Sequence, residues 1–372
     1  MAISRQTSET IAFMRYPMAI AIVFQHAYGG ITRPAGTEDA WGWIIMDYVR
    51  QICSWHLTSA AVVCFFCISG YLFFQNWQTD GSPDSHVLPW NWRMYGRKLK
   101  SRFWSLLIPY LTWNIICFAI KGAWSDFSWH IFFDYDKWNT GSEGWFGQEL
   151  PVSSGPIDSP LWFVRELIFM SILAPLVYWL VRYGKIVYLA LLWLMAIPEM
   201  SFLPHQFMMA LCFFSLGAVF SIFDVDFIGW TRKNIIPVSV AVLLLMIPLF
   251  MPDSTAVSML HFVYITMLML LYFGTASFLS ERTHCFQSHF WSQSALVVYA
   301  GHIGVSALTF SATLVCKIIA DDSRLILLAV RYFAIPFLCA AILTGVFYLL
   351  YRFIPAVTYP FVGKPHAKKE LK

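Results

Sequence analysis

Apolar runs of about 20 residues recur along most of this 372-residue chain, and they restrict it to one kind of fold. Hydrophobic residues make up 58% of the sequence and charged residues only 12%. Soluble domains carry about 25% charged residues, so a soluble fold is excluded. The sequence therefore predicts an all-α integral membrane protein, because a helix satisfies its own backbone hydrogen bonds inside lipid.

Ten segments are predicted to span the membrane. They are residues 12–29, 55–76, 103–121, 160–181, 186–199, 205–223, 234–251, 258–280, 293–316 and 325–351. The fifth segment is the shortest and ends at Pro198. The chain opens with polar residues and shows no cleavable signal peptide.

The distribution of basic residues predicts the orientation of these segments. With the N-terminus in the cytoplasm, most of the 25 Lys and Arg residues fall inside and most of the 21 acidic residues fall outside. We expect a multi-pass protein of the cell (inner) membrane with both termini cytoplasmic. Residues 1–372 form one membrane domain, with a periplasmic loop at 122–159 and a basic cytoplasmic tail at 353–372.

Two features of the sequence, a long loop and a pair of cysteines, each allow more than one interpretation. The loop 122–159 is acidic and rich in tryptophan, so it suits either sugar binding or an interfacial aromatic belt. Cys64 and Cys67 form a CxxC within the apolar run VVCFFCISG. Small apolar filler is favoured there over a zinc or redox site. No bound metal or cofactor is expected.

The first apolar run, RYPMAIAIVFQHAYGG, carries Arg15 at one end and His26 deep inside. Their 11-residue separation turns a helix by about 1100°, so both lie on one face about 16 Å apart. Arg15 can simply anchor the helix at the cytoplasmic surface. His26 can donate a hydrogen bond that holds packed helices together. However, ionisable groups within a membrane usually belong to a functional site or to a substrate or ion pathway.

Other polar groups lie in later segments. His302 follows Tyr299 by three residues within the ninth segment, which suggests a polar interior; no HExxH pattern supports a metal site. Arg165 and Glu166 open the fourth segment after Asp158. Glu166 can stabilise the helix by interacting with the positive end of its dipole. Alternatively, the two residues can present a carboxylate and a cation to a substrate that arrives from outside.

A basic segment precedes the third span. Its members are Arg93, Arg97, Lys98, Lys100 and Arg102. They can set the topology and contact anionic lipids, or they can bind phosphates. The chain contains no Walker or Rossmann motif, so nucleotide hydrolysis and hydride transfer are not indicated. Nothing indicates a nucleic-acid partner.

Taken in order, these elements resemble the acyltransferase-3 family of membrane-bound O-acyltransferases, in its ten-helix form without an appended SGNH domain. The matching elements are Arg15 with His26, Ser69-Gly70-Tyr71-Leu72, the basic segment leading to Tyr110, Leu161-Trp162-Phe163 with Pro175, and Tyr299 with His302. One departure is that Glu166 lies about one residue earlier than the glutamate of peptidoglycan-modifying relatives.

The resemblance implies transfer of an acyl group, usually acetyl, from acyl-CoA to a hydroxyl of an extracytoplasmic glycan or lipid-linked sugar. It implies that the CoA phosphates bind Arg15, Arg97, Lys98 and Arg102. His26 would act as general base or carry the acyl group, Arg165 would stabilise the oxyanion, and Glu166 would orient His26 or bind sugar. The pocket would be formed by Ser69, Tyr71, Trp162, Tyr299 and His302.

A transporter or flippase of an acyl donor or glycan is the main alternative, since polar groups at the membrane midplane would serve it equally well. The sequence shows no inverted repeat and no paired broken helices, which disfavours a transporter. A membrane sensor or scaffold would leave the placement of His26 and Arg15 unexplained. Arg331 could be an extra cation for a succinyl donor.

Overall fold

The computed structural model describes residues 4–27, 41–75, 90–121, 132, 156–196, 203–251, 254–319 and 324–363. Within these ranges all regular secondary structure is helical, which confirms the all-α prediction. The helices are α1 (Arg5–His26), α2 (Trp41–Gln51), α3 (Ala60–Phe74), α4 (Trp92–Arg102), α5 (Ile108–Lys121), α6 (Trp162–Met195), α7 (His205–Ile222), α8 (Phe227–Lys233), α9 (Ile235–Met246), α10 (Thr255–Thr283), α11 (His289–Gly304), α12 (Ala307–Ile318), α13 (Leu325–Phe353) and α14 (Pro355–Val362).

Six helical stretches of the described chain are long and apolar enough to cross a membrane. They are Trp41–Phe74, Trp92–Ile120, Ser159–Met195, His205–Ile222, Thr255–Thr283 and Leu325–Phe353. Two bent helix pairs raise the number to eight if each pair is one span. The chain is therefore a multi-pass membrane protein, while the count of ten and the sides of the termini stay predictions.

The outer surface of the helical bundle is apolar. Large side chains such as Ile186, Ile236 and Phe353 are 74%, 75% and 74% exposed. A continuous apolar surface of this kind is unfavourable in water and is expected where a protein contacts lipid. The helix α1 differs from the six stretches, because polar residues such as Glu9 and Arg15 dilute its apolar content.

One predicted break is located correctly and one predicted span is corrected. The boundary between segments 160–181 and 186–199 falls at a kink in α6, where Lys185 has non-helical backbone (φ 46°, ψ −127°). Segment 293–316 is instead broken into α11 and α12, which meet at a bend of 74°. Ser306 at this break has left-handed backbone (φ 55°). Hydrophobicity continues through this second break, so apolar patterning alone could not locate it.

The helix α2 was not predicted. It continues through a π-helical segment, Ile52–His56, towards α3 and forms one stretch of 34 residues. Asp47 and Arg50 form an ion pair on α2 (3.1 Å). Because these charged residues lower the hydrophobicity of the segment, a search for apolar windows does not detect the helix.

The helices α3 and α7 pack with their backbones almost in contact. A Cβ atom on Gly70 would lie 2.0 Å from the carbonyl oxygen of Phe214, and one on Gly217 would lie 2.0 Å from that of Cys67. Small residues allow such close approach between membrane helices. Cys64 and Cys67 are free, fully buried thiols in this part of the bundle, which agrees with the packing interpretation.

The described part of the predicted tail is folded back onto the bundle. The helix α14 packs against α5, where Trp113 Nε1 donates a hydrogen bond to the carbonyl oxygen of Phe361 (3.1 Å). The lysines after residue 363 lie outside the described residues, as does nearly all of the predicted loop 122–159. The interpretations of that loop therefore stay open.

Candidate functional site

A cavity of about 290 Å³ opens beside the last turn of α1. Its walls come from α1, the π-helical segment, α3, α6, α7 and α11. The lining residues are Ile22, Gln25, His26, Trp55, Ser59, Val62, Pro160, Trp162, Met209 and Tyr299. Three predicted site residues, His26, Trp162 and Tyr299, are thus brought together, although they are separated by more than 100 residues along the chain.

The imidazole rings of His26 and His302 face one another at this cavity. Their centroids are 5.0 Å apart and their planes are inclined by 44°. His302 is fully buried, whereas the ring of His26 is accessible from the cavity. Among the described residues His26 makes no side-chain hydrogen bond, so its ring nitrogens are available to a substrate.

Contacts within α11 fix the ring of His302. Its Nδ1 lies 2.6 Å from the carbonyl oxygen of Tyr299, so Nδ1 carries the proton and donates. Nε2 then presents a lone pair, and it is buried without a hydrogen-bond partner among the described residues. Tyr299 is itself held by a hydrogen bond from its hydroxyl group to the carbonyl oxygen of Pro160.

The helix break places His302 two residues from the end of α11. A Cβ atom on Gly304, the last residue of α11, would lie 2.6 Å from Oδ2 of the buried Asp158. The backbone N–H of Asp158 donates to Oδ1 of the buried Asn114 (3.1 Å). The helix end near His302 is therefore part of a buried polar region. Sequence reasoning missed Asn114 and the close contact of Asp158 with Gly304, because nothing in their spacing relates them.

Arg165 and Glu166 form an ion pair with each other. Arg165 Nη2 and Nε lie 2.7 Å and 3.1 Å from Glu166 Oε1, and both side chains are completely buried. Neither residue lines the cavity. The residue that faces His26 is His302 rather than Glu166. The predicted oxyanion and orienting roles of the pair stay predictions, and its burial favours a structural contribution to the start of α6.

Three of the four predicted phosphate-binding residues converge beside the middle of α1. The positive charges of Arg15 and Arg102 lie close enough to repel one another, and those of Arg102 and Lys98 do so as well. No carboxylate of the described chain pairs with any of these three residues. Gathering like charges is unfavourable without a counter-ion, so this basic cluster suits an anionic ligand.

The carboxyl-terminal half of α3 supports the basic cluster. Lys98 Nζ donates to the carbonyl oxygen of Leu72 (2.8 Å), and Arg102 Nη2 lies 3.4 Å from that of Ser69. The hydroxyl group of Ser69 is buried without a partner in the described chain. Arg97 instead lies on an exposed face of α4, away from Lys98 and Arg102.

The predicted single pocket is therefore divided, which corrects that prediction. Trp162, Tyr299 and His302 lie at the cavity. Ser69 belongs to the basic cluster, and the ring of Tyr71 packs against Phe227 instead (5.6 Å). Val62 at the cavity and Tyr71 are nine residues apart on α3, which is about 13 Å along a helix.

The helix breaks weaken one sequence-based objection to a transporter. The bent pairs α8 with α9 (84°) and α11 with α12 (74°) are broken helices, which the sequence did not reveal.

Arg331, the residue considered as an extra cation for a succinyl donor, contacts the backbone. Its guanidinium donates two hydrogen bonds to the carbonyl oxygen of Ile319 at the end of α12.

Two comparisons with known proteins give matches. Residues 10–310 match the family model described as "Acyltransferase domain". A region of 226 residues is 26% identical to the succinoglycan biosynthesis protein ExoH of Rhizobium meliloti (strain 1021). That region covers 59% of this chain and 55% of ExoH, so the chain spans about half the length of this relative. No solved structure matches the chain.

Proposed function

The chain belongs to the acyltransferase-3 family, and from that membership we propose that it transfers an acyl group from cytoplasmic acyl-CoA to a hydroxyl of an extracytoplasmic glycan or lipid-linked sugar. One observation carries the proposal. The helix α1 presents His26 to a cavity at its C-terminal end and Arg15, near its middle, to a basic cluster about 16 Å away along its axis; no carboxylate of the described chain pairs with that cluster. This arrangement suits a donor with phosphates at one end and a thioester at the other.

In the proposed reaction, His26 takes the proton of the acceptor hydroxyl while the hydroxyl oxygen attacks the thioester carbonyl carbon. The C–S bond then breaks, and the leaving thiolate takes the proton from the imidazolium. The acyl group ends as an ester on the sugar, and free CoA is released. Acetyl is the acyl group we propose to test first, and the name of the relative ExoH makes a surface polysaccharide the first acceptor.

His302 is proposed as a positioning residue for His26. Because its Nδ1–H is committed to the Tyr299 carbonyl, its Nε2 can only accept a hydrogen bond from the neighbouring ring. A hydrogen bond from His26, formed when the substrate closes the site, would orient the base and stabilise its imidazolium form. A buried neutral histidine thus serves as the orienting group in place of Glu166.

The proposed function is tested with purified protein in lipid vesicles, radiolabelled acetyl-CoA outside and oligosaccharides of succinoglycan inside. Label that becomes covalently attached to the oligosaccharide, with release of CoA, supports the acyltransferase. Label that crosses the membrane unchanged, without ester formation, would contradict it and would favour the transporter.

The basic cluster gives a second prediction. Replacing Arg102 by Gln removes one charge of the cluster, and we expect the KM for acetyl-CoA to rise about tenfold, equivalent to ~1.4 kcal/mol, with little change in kcat. The matched control is Arg97→Gln on the same helix, which is exposed and should leave the KM unchanged. An equal effect of both substitutions would contradict the assignment of phosphate binding to this cluster.

The positioning role of His302 gives a third prediction. His302→Phe keeps the ring volume but removes the acceptor nitrogen, and we expect kcat to fall by about tenfold. The acidic limb of the pH–rate profile should move to lower pH, because the His26 imidazolium loses an acceptor. His302→Gln, which retains an acceptor oxygen, should restore the wild-type limb. If the acidic limb is unchanged in the phenylalanine variant, His302 has only a packing role and the positioning role is wrong.

A further inference from the structure

Five polar side chains gather beside the catalytic cavity and take no part in the mechanism above. We call them the polar cluster: His56, His205, Gln206, His261 and Tyr264. His56 ends the π-helical segment, His205 and Gln206 open α7, and the other two lie in the first three turns of α10. They come from three separate parts of the chain, so their meeting is a property of the fold.

Tyr264 lies at the centre of the polar cluster. The ring centroids of His56 and His261 lie 6.4 Å and 6.3 Å from that of Tyr264. His261 also interacts electrostatically with His56 and with His205. Two histidines thus flank one buried phenol, and the third, His205, lies near His261.

Several atoms of the polar cluster have no partner in the described chain. They are the Tyr264 hydroxyl oxygen, His205 Nδ1 and Gln206 Oε1, and all three are buried. Tyr264 is 0% exposed, so its hydroxyl group is not satisfied by bulk solvent. Buried polar atoms in native proteins are nearly always hydrogen-bonded, so these unpartnered atoms point to a polar ligand.

The polar cluster adjoins residues that line the cavity containing His26. Trp55, which lines the cavity, directly precedes His56. Ser59 also lines the cavity, and its hydroxyl group donates to the carbonyl oxygen of His56 (2.7 Å). Met209, a further lining residue, lies one helical turn after His205, about 6 Å along α7. A ligand that occupies the cavity can therefore extend into the polar cluster.

The chemistry of the polar cluster suits the hydroxyl groups of a sugar. Neutral imidazoles, an amide and a phenol offer donors and acceptors together. Trp55 adds an aromatic face that is 52% exposed, and the apolar faces of sugar rings stack on such surfaces. A metal is not favoured, because no three His, Cys, Asp or Glu side chains of the described residues are arranged to hold one.

We propose that the polar cluster is a glycan subsite, which holds the sugar unit next to the one whose hydroxyl group reacts at His26. This inference rests on the proposed function, and it names the part of the acceptor that the enzyme recognises. The subsite would select an oligomeric acceptor over a single sugar, because a monosaccharide in the cavity leaves the polar cluster empty.

The test uses Tyr264→Phe, which removes a hydroxyl group that has no partner in the described chain and so should not disturb folding. We expect the KM for succinoglycan oligosaccharides to rise about tenfold, while the KM for acetyl-CoA stays unchanged. The control is Tyr348→Phe, an exposed residue on α13. A second variant, His261→Ala, should raise the same KM. Binding of the oligosaccharide without acetyl-CoA, measured by saturation-transfer NMR, should weaken in parallel.

The outcomes separate the subsite from the proposed function. If wild-type protein transfers acetyl groups and both variants keep its acceptor KM and oligosaccharide binding, the subsite is wrong and the acyltransferase stands. If wild-type protein forms no ester with any glycan, the proposed function fails and the subsite fails with it. A rise in the acetyl-CoA KM alone would also overturn the subsite, since it would place Tyr264 with the donor.

Discussion

Replacing His26 by alanine is expected to lower kcat for acyl transfer by about 10² to 10⁴-fold, the usual contribution of a general base. The KM for acetyl-CoA should change little, because the donor phosphates are assigned to the basic cluster, which lies about 16 Å from His26 along α1. The ring of His26 makes no hydrogen bond within the described chain, so its removal should leave the fold intact. Steady-state transfer of radiolabel to the oligosaccharide measures kcat, and size-exclusion profiles in detergent report folding.

The matched control is His284→Asn. His284 is an exposed histidine with left-handed backbone (φ 50°) at the end of α10, and asparagine tolerates that conformation. This variant should retain full activity. If His26→Ala retained activity with a normal folding profile, the assignment of the general base to His26 would be wrong. Tight binding of CoA by a wild-type protein that shows no turnover would leave either a missing acceptor or a carrier role.

Helical periodicity alone placed Arg15 and His26 on one side of α1, and the structure sets the basic cluster and the cavity at those two positions. The same rule separates Lys98 and Arg102, which are four residues apart, from Arg97, which lies about 100° away around the helix. The sequence prediction grouped all three because they share a basic run. A periodicity test within that run would have isolated Arg97.

The partner of His26 could not be obtained in the same way. The resemblance implied that Glu166 orients His26 or binds sugar, which stays a prediction; in the structure its side chain pairs with that of Arg165 in the interior. His302 reaches His26 only because α11 packs against α1 and ends at a bend. No local pattern encodes a contact between residues 276 positions apart. The polar cluster was missed for the same reason.

The resemblance identified Ser69-Gly70-Tyr71-Leu72 as a functional element, and the structure supplies a physical reason for two of its members. Gly70 lets α3 approach the backbone of Phe214 on α7, and Ser69 then offers its carbonyl oxygen to Arg102. The helix packing and the position of Arg102 thus depend on one short segment. A change at the helix contact should consequently also disturb the basic cluster.

Gly217→Ala is therefore expected to cause the largest loss of stability among the substitutions considered. The added Cβ atom would lie 2.0 Å from the carbonyl oxygen of Cys67 and 2.8 Å from the backbone nitrogen of Tyr71. Backbone atoms cannot rotate away as a flexible side chain can, so α3 and α7 must separate. Overpacking a core typically costs about 1–3 kcal/mol, and we expect this contact to reach or exceed the upper value.

The measurement compares the thermal unfolding and the monodisperse yield of Gly217→Ala with those of Gly345→Ala. Gly345 lies within α13, and a Cβ atom there would meet nothing within 4 Å. The control should match or slightly exceed the wild-type stability, because alanine is favoured over glycine in a helix by about 1 kcal/mol. If Gly217→Ala unfolded at the wild-type temperature, the close contact of α3 and α7 would be wrong. The position assigned to Ser69 beside Arg102 would then lose its support, because that position depends on the same contact.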